Sequence, residues 1–188
     1  MLRALRRRRG LLGLIVGWGA GLATIGLGAL LVVATGSFDV TAIHPHSNLT
    51  AWATHETMIR AEQRLSRAIP APSAFTAAQR TEGFRQYDAE CAMCHGGPGV
   101  PRQGWVDGMT PTPPYITDSA RRWSPRELYC IVGDGVKMTG MPAWRAKISS
   151  AEIWSLVAFL EILPDLTPQD YARMRAAAAT APAGKTRS

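Results

Sequence analysis

Hydrophobic and polar positions divide the chain into stretches of different character. From Leu11 to Ala34, 24 consecutive residues carry no charge, and Thr24 is the single polar side chain among them. At 1.5 Å per residue a helix of that length reaches about 36 Å, enough to cross a hydrocarbon core of about 30 Å. The pattern predicts a transmembrane anchor over residues 11–35, preceded by a basic segment at 1–10. Residues 36–73 read as a connecting arm with one helix, running from Ala51 to Ala68 and capped by Asn48 or Thr50. Glu56, Arg60, Glu62 and Arg64 are expected to form its exposed face, and Pro70 and Pro72 to end it.

Residues 74–166 read as one compact domain. A helix starts at Thr76, with Ala77, Phe84 and Tyr87 on one side and Gly83 leaving a notch. It runs into Cys91-Ala92-Met93-Cys94-His95 and then a loop rich in glycine and proline, Gly96 to Pro101, with Pro111, Pro113 and Pro114 continuing the irregular stretch. Ser124-Pro125-Arg126-Glu127 joins a capping serine, a proline at the first helical position and a glutamate three residues on, a strong helix start. Gly133 and Gly135 stop that helix, and a second loop carries Lys137 to Trp144. Ser149 or Ser150 caps a last helix, in which Ile153, Trp154, Leu156, Val157, Leu160 and Leu163 give a broad apolar face, and Pro164 closes it. No alternating strand pattern appears, so the fold class is all-α, helices and loops. Residues 167–188 read as a C-terminal tail, Ala172 to Ser188 as a frayed helix and a disordered end.

Charge changes the picture only at the N-terminus. The formal net charge is +7, from 21 basic and 14 acidic residues. Arg3, Arg6, Arg7, Arg8 and Arg9 lie before the apolar span, and no acid falls in the first 35 residues. Setting those five arginines aside leaves 16 basic against 14 acidic residues, so the rest has no broad basic face for nucleic acid. A basic cluster before the span places the N-terminus in the cytoplasm and everything after Gly36 outside. For a bacterium with two membranes this means a single-pass inner-membrane protein with its C-terminal domain in the periplasm, meeting lipid through the N-terminal helix. A removable signal peptide is the alternative, with Val40-Thr41-Ala42 as a weak cleavage pattern, but its apolar run is normally about 7–15 residues. Gly13, Gly17 and Gly21 form a small-residue stripe that either admits a second helix or reflects the glycine content of membrane helices.

Three cysteines are too few for a scaffold of several disulfides. Two thiols three positions apart followed at once by an imidazole suit covalent attachment of one haem c. Cys91 and Cys94 reach two vinyl groups along one porphyrin edge, and His95 falls beneath the iron as proximal ligand. A thioredoxin-like redox pair needs a strand–helix context that is missing here. A zinc site lacks the usual second ligand pair, since Cys130 is the one cysteine left over and reads as a buried small hydrophobe. His44, His46 and His55 form no recognised cluster and read as solvated or hydrogen-bonded histidines. Met141, 46 residues after His95, is the candidate second axial ligand. Met138 is its rival in the same loop. Pro142 holds residue 141 extended and Gly140 frees the other side, which favours Met141. No carboxylate pair or nucleophile–base arrangement stands out, so the chain reads as an electron carrier rather than an enzyme.

Residues 76–163 resemble the class I c-type cytochromes, specifically the small membrane-anchored monohaem ones. The resemblance rests on Gly83 and Tyr87 before Cys91, the Cys91-to-His95 motif, Met141-Pro142-Ala143-Trp144, and Leu156 and Phe159 in the last helix. It implies the cytochrome c fold, with Gly83, Tyr87, Leu156 and Phe159 at the crossing of the first and last helices. It also implies a proline carbonyl, from Pro113 or Pro114, that orients the haem histidine. Arg102, Trp105, Tyr115 and Trp123 become candidates for the propionates or the pocket wall. The expected function is one-electron transfer between redox partner proteins: a donor dehydrogenase or quinol oxidoreductase and an acceptor oxidase or reductase. Two other readings stay open: a fixed haem subunit of a larger membrane dehydrogenase or terminal oxidase, and an open-site haem sensor or peroxidase-like enzyme.

Overall fold

The structure, a computed structural model, describes residues 2–180. The last residues of the expected tail, 181–188, lie outside the described residues. The chain forms two units divided between His44 and Pro45.

The first unit is dominated by α1 (Leu2–Thr35), of which Gly10–Thr35 is long and apolar enough to cross a membrane. Its large apolar side chains, Leu11 to Val33, are exposed all round, a surface that suits lipid and not water. Both threonine hydroxyls of the span are satisfied within the helix, Thr24 donating to the Ala20 carbonyl at 2.9 Å and Thr35 to the Leu31 carbonyl at 2.7 Å. Gly36 breaks the helix with φ +62°, and beyond it Asp39 accepts bonds from the Thr41 backbone N–H and from His44 Nδ1, both at 2.8 Å. His44 is thus a hydrogen-bonded surface histidine.

The second unit begins with α2 (Asn48–Ser66). Its cap is Ser47, whose hydroxyl accepts from the Thr50 N–H at 3.2 Å, in place of the expected Asn48 or Thr50. The helix ends at Ser66, ahead of the prolines. One expectation for its surface is overturned: Glu62 is 7% exposed and faces inward, because α2 packs against α6 along the side that carries it. Glu56 and Arg60 do pair on the outside at 3.5 Å.

Next come α3 (Ala77–Gln86), a π-helical turn (Tyr87–Cys91) and α4 (Ala92–His95). Thr76 caps α3 through a reciprocal box with Gln79. Phe84 and Tyr87 are buried as the pattern predicts, whereas Ala77 is exposed. A short helix, α5 (Ile116–Ser119), leads to α6 (Pro125–Asp134), which starts on the predicted Ser124/Glu127 box. α6 runs through Gly133 and stops at Gly135, where φ is +66°. α7 (Ser150–Ile162) is capped by Ser149 and Glu152. Among the described residues no strand forms, only an isolated bridge between Gly97 and Val100.

The core sits where α3 crosses α7. Gly83 lies so close to the α7 backbone that a side chain there would overlap the Ser155 carbonyl. Around that contact Phe84 and Phe159 meet edge to face at 5.5 Å, and Tyr87 lies 5.2 Å from Phe159. The stretch expected as tail instead opens with α8 (Pro168–Thr180), started by Thr167 and Asp170. Its Tyr171 is fully buried against Phe84, so the packed core extends past residue 166. The alanine run is helical as far as Thr180.

Candidate functional site

Cys91, Cys94 and His95 lie together on the turn that joins the π-helical segment to α4. Both thiols are free and half-buried. Burial is the main force pushing the Cys91 thiol up to about 12, with the Glu90 carboxylate and Cys94 adding to it. His95 Nδ1 donates to the Pro114 carbonyl at 2.8 Å. Of the two candidate prolines, then, Pro114 is the acceptor, while the Pro113 carbonyl takes a bond from Arg102 Nη1 at 2.7 Å. Burial lowers the pKa of His95, the Pro114 bond opposes that shift, and nearby Arg102 adds to it. The ring is therefore held neutral with Nδ1 spoken for, which leaves the Nε2 lone pair for a metal.

The surroundings are set just as closely. The Met93 carbonyl accepts from the Gln103 N–H at 2.9 Å and ties the turn to the following loop. Tyr87 Oη donates to the Gly96 carbonyl at 2.7 Å from a buried position. Gly96 has φ +66°, and a Cβ on it would come 2.8 Å from the Tyr115 ring, so both backbone conformation and space demand glycine. Arg102 lies over the Tyr115 ring at 4.6 Å and is paired with Asp107 at 2.6 Å, leaving both side chains engaged beside the histidine. Trp105 is exposed and Trp123 packs against the core.

The methionine loop is built differently. Met141 is half-buried and packs against the core, whereas Met138 is 91% exposed with φ +63°. The Met141 N–H donates to the Thr139 hydroxyl at 3.1 Å, and its carbonyl accepts from the Val136 N–H at 3.3 Å. Gly135 leaves no room for a side chain, as a Cβ would sit 2.6 Å from the Pro142 carbonyl. Trp144, three residues after Met141, lines a narrow crevice with Cys91, Ile148 and Leu156. Met141 and Cys91 thus flank the same core from two loops.

The donor set fits a covalently held haem: two free thiols and a neutral, oriented imidazole on one turn, with a thioether on a loop around the same core. Among the described residues no group of three or more His, Cys, Asp or Glu is placed to hold a metal ion directly. Tyr115, a pocket-wall candidate, lies against Gly96, whose own role the sequence did not single out. The signal for Gly96 is its place directly after the histidine, where the chain must turn away from the motif.

Residues 78–160 match the family model described as "Cytochrome C oxidase, cbb3-type, subunit III". The matched segment runs from the first turn of α3 almost to the end of α7. It holds the cysteine–histidine turn and the methionine loop but neither α2 nor α8. No curated protein matches the chain.

Proposed function

Residues 78–160 being a class I c-type cytochrome domain, we propose that the chain is a membrane-tethered monohaem cytochrome c that passes single electrons between redox partner proteins. The observation that carries this is the His95 geometry: an imidazole fixed by Pro114 on one nitrogen and open on the other, next to two free thiols. Cys91 and Cys94 would hold haem c covalently, His95 and Met141 would ligate its iron, and the bound group would supply a one-electron ferrous–ferric couple. The protein supplies the fixed imidazole, a core that limits water, and a thioether that favours the reduced state over what two histidines give.

α1 is the anchor, with the cytochrome domain on the periplasmic side of a bacterial inner membrane. Tethering keeps the domain near its partners and raises their effective concentration without new contacts. A second reading has support from the matched family's description as an oxidase subunit: the domain serves as a fixed haem subunit of a terminal oxidase. Purification in mild detergent separates the two, since a fixed subunit brings its complex with it and a carrier comes alone.

The test of the ligand assignment is the absorption spectrum of the purified protein made in a host that attaches haem. The ferric form is expected to show the weak long-wavelength band of methionine-to-iron ligation, lost in Met141→Ala and kept in Met138→Ala. A high-spin wild type that binds carbon monoxide would overturn the carrier and favour an open-site sensor or peroxidase.

A further inference from the structure

α8 lies outside the matched cytochrome segment, yet it grips the cysteine–histidine turn at both ends. Ahead of the turn, Tyr171 Oη donates to Asp88 Oδ1 at 2.9 Å, three residues before Cys91. Arg175 Nε donates to the same carboxylate, at 2.8 Å to Oδ1 and 3.0 Å to Oδ2, and its guanidinium lies 5.6 Å from the Tyr171 ring centre. Behind the turn, the Tyr171 ring sits on Gly97, two residues after His95, so closely that a Cβ there would be 2.8 Å from the ring carbon Cζ. Pro168 at the start of α8 covers Gly99 in the same way, at 2.8 Å.

Gly96 is held from the other side by Ala92, Tyr87 and Tyr115, but beyond it the loop so covered has little stiffness of its own. Gly96 and Gly99 both have positive φ, and the backbone of Gly97 is tied only to Val100, by bonds of 2.8 and 2.9 Å. Glycines in such numbers leave many backbone states open unless neighbouring groups close them. The neighbour here is Tyr171, itself fixed by Phe84 at 5.2 Å and wholly buried.

We infer that α8 is a clamp on the haem-attachment turn and that Tyr171 is a positioning residue, setting the His95 ring through Asp88 on one side and Gly97 on the other. The inference rests on the haem c reading above. Its physical content is that loss of the ring frees the Gly96–Gly99 loop, lets the imidazole reorient and admits water. Water stabilises the more highly charged ferric state, so the reduction potential falls.

The experiment uses the full chain loaded with haem. It compares wild type with Tyr171→Leu, Tyr171→Phe and, as a core control on a different helix, Ile153→Ala, whose side chain is fully buried in α7. Three quantities are read: the thermal midpoint by circular dichroism, the reduction potential, and the haem-methyl proton shifts of the ferric protein, which follow the orientation of the axial ligands. Tyr171→Leu is expected to lower the potential and rearrange the methyl shifts. Ile153→Ala should lower the thermal midpoint while leaving the methyl pattern in place, and Tyr171→Phe, which keeps the ring on Gly97 but loses the bond to Asp88, should move the potential and the methyl pattern in the same direction as Tyr171→Leu and by less.

If the methyl pattern and potential of Tyr171→Leu match those of Ile153→Ala, Tyr171 is core filler and the inference is overturned. Should Tyr171→Leu fail to fold, Asp88→Asn decides, because it weakens the forward grip and leaves the ring in place. A smaller shift in the same direction supports the clamp, and an unchanged methyl pattern overturns it. A wild type without covalent haem sinks the haem reading and this inference together, whereas an unmoved pattern in a haem-bearing variant sinks this inference alone.

Discussion

The two loops proposed to hold the iron are supported by different means. The His95 turn is fixed by groups from outside itself: the carbonyl of Pro114, the ring of Tyr115, the hydroxyl of Tyr87, and Pro168, Tyr171 and Arg175 of α8. The Met141 loop is held mainly by its own backbone, through Val136 and Thr139, and by the ion pair of Arg145 with Asp134 at 2.8 Å. At the α2–α6 contact, where α6 leads into this loop at Asp134, lies a buried carboxylate oxygen of Glu62 with no hydrogen-bond partner. One side is over-determined and the other is sufficient. The cysteine–histidine side is thus the more rigid of the two, and changes in the proposed ligation are to be sought on the methionine side.

The largest effect should come from breaking the rigid side at its centre. In His95→Ala the proposed iron ligand on this turn is gone, so the low-spin spectrum should be lost altogether. Met141→Ala, by contrast, should lose only the methionine band and keep covalent haem. If both variants gave the same spectrum, the asymmetry between the loops would not hold.

Next in size is Gly135→Ala. Its φ of +66° is strained for any side chain, and the added Cβ would lie 2.6 Å from the Pro142 carbonyl, a backbone atom that cannot step aside. The expected cost is about 2–3 kcal/mol, read as a drop in thermal midpoint, together with a weakened methionine band. Gly133→Ala makes the matching control. There the nearest atoms to a Cβ belong to the guanidinium of Arg145, at 2.7 Å, so the variant strains the Arg145–Asp134 pair but displaces no backbone, and a smaller loss is expected. Equal losses in the two variants would show that the loop is as tightly determined as the His95 turn.

This asymmetry also explains what could be read from the sequence. The helix starts at Thr76, Ser124 and Ser149 were legible because the capping partner stands three residues on and the apolar pattern follows at once. The cysteine–histidine turn was legible because covalent chemistry demands one spacing. α8 was not, although Thr167-Pro168-Gln169-Asp170 repeats the capping logic of Ser124-Pro125-Arg126-Glu127. Its alanine-rich body offers only a thin apolar stripe, Tyr171, Met174 and Ala178, with a single large aromatic among them. Glu62 was misplaced for a related reason. Charge alternation along α2 reads as a solvated face, and only the packing of α6 turns that face inward. Pro114 could not be separated from Pro113, because adjacent carbonyls differ in direction and direction belongs to the fold.

Glu62→Gln should give the smallest effect and the one that probes the looser side most directly. Burial raises the pKa of Glu62 above its ordinary value, and Asp134 and Glu127 on α6 push it further in the same direction. Cys130 on the same helix is fully buried and feels the Glu62 charge, while Arg145, already bonded to Asp134, is the cation that tempers the cluster. A raised pKa means that the folded state holds the proton more tightly than the unfolded chain. The stabilising contribution is therefore complete below the ordinary carboxylate range and is lost as pH rises through the raised value. Above it, the charged side chain remains buried with an unpartnered oxygen, a net cost to the fold. A glutamine has no charge to bury, and its amide can donate to Asp134 or Glu127. The variant should match the wild type in thermal midpoint near about pH 4 and exceed it at neutral pH by about 1 kcal/mol. The gain should appear in the α2–α6 contact, with the methionine band surviving to higher denaturant and the His95-side methyl shifts unmoved. A variant no more stable than wild type at neutral pH would mean that the Glu62 carboxylate already finds water there, and the contrast between the two sides would lose its energetic basis.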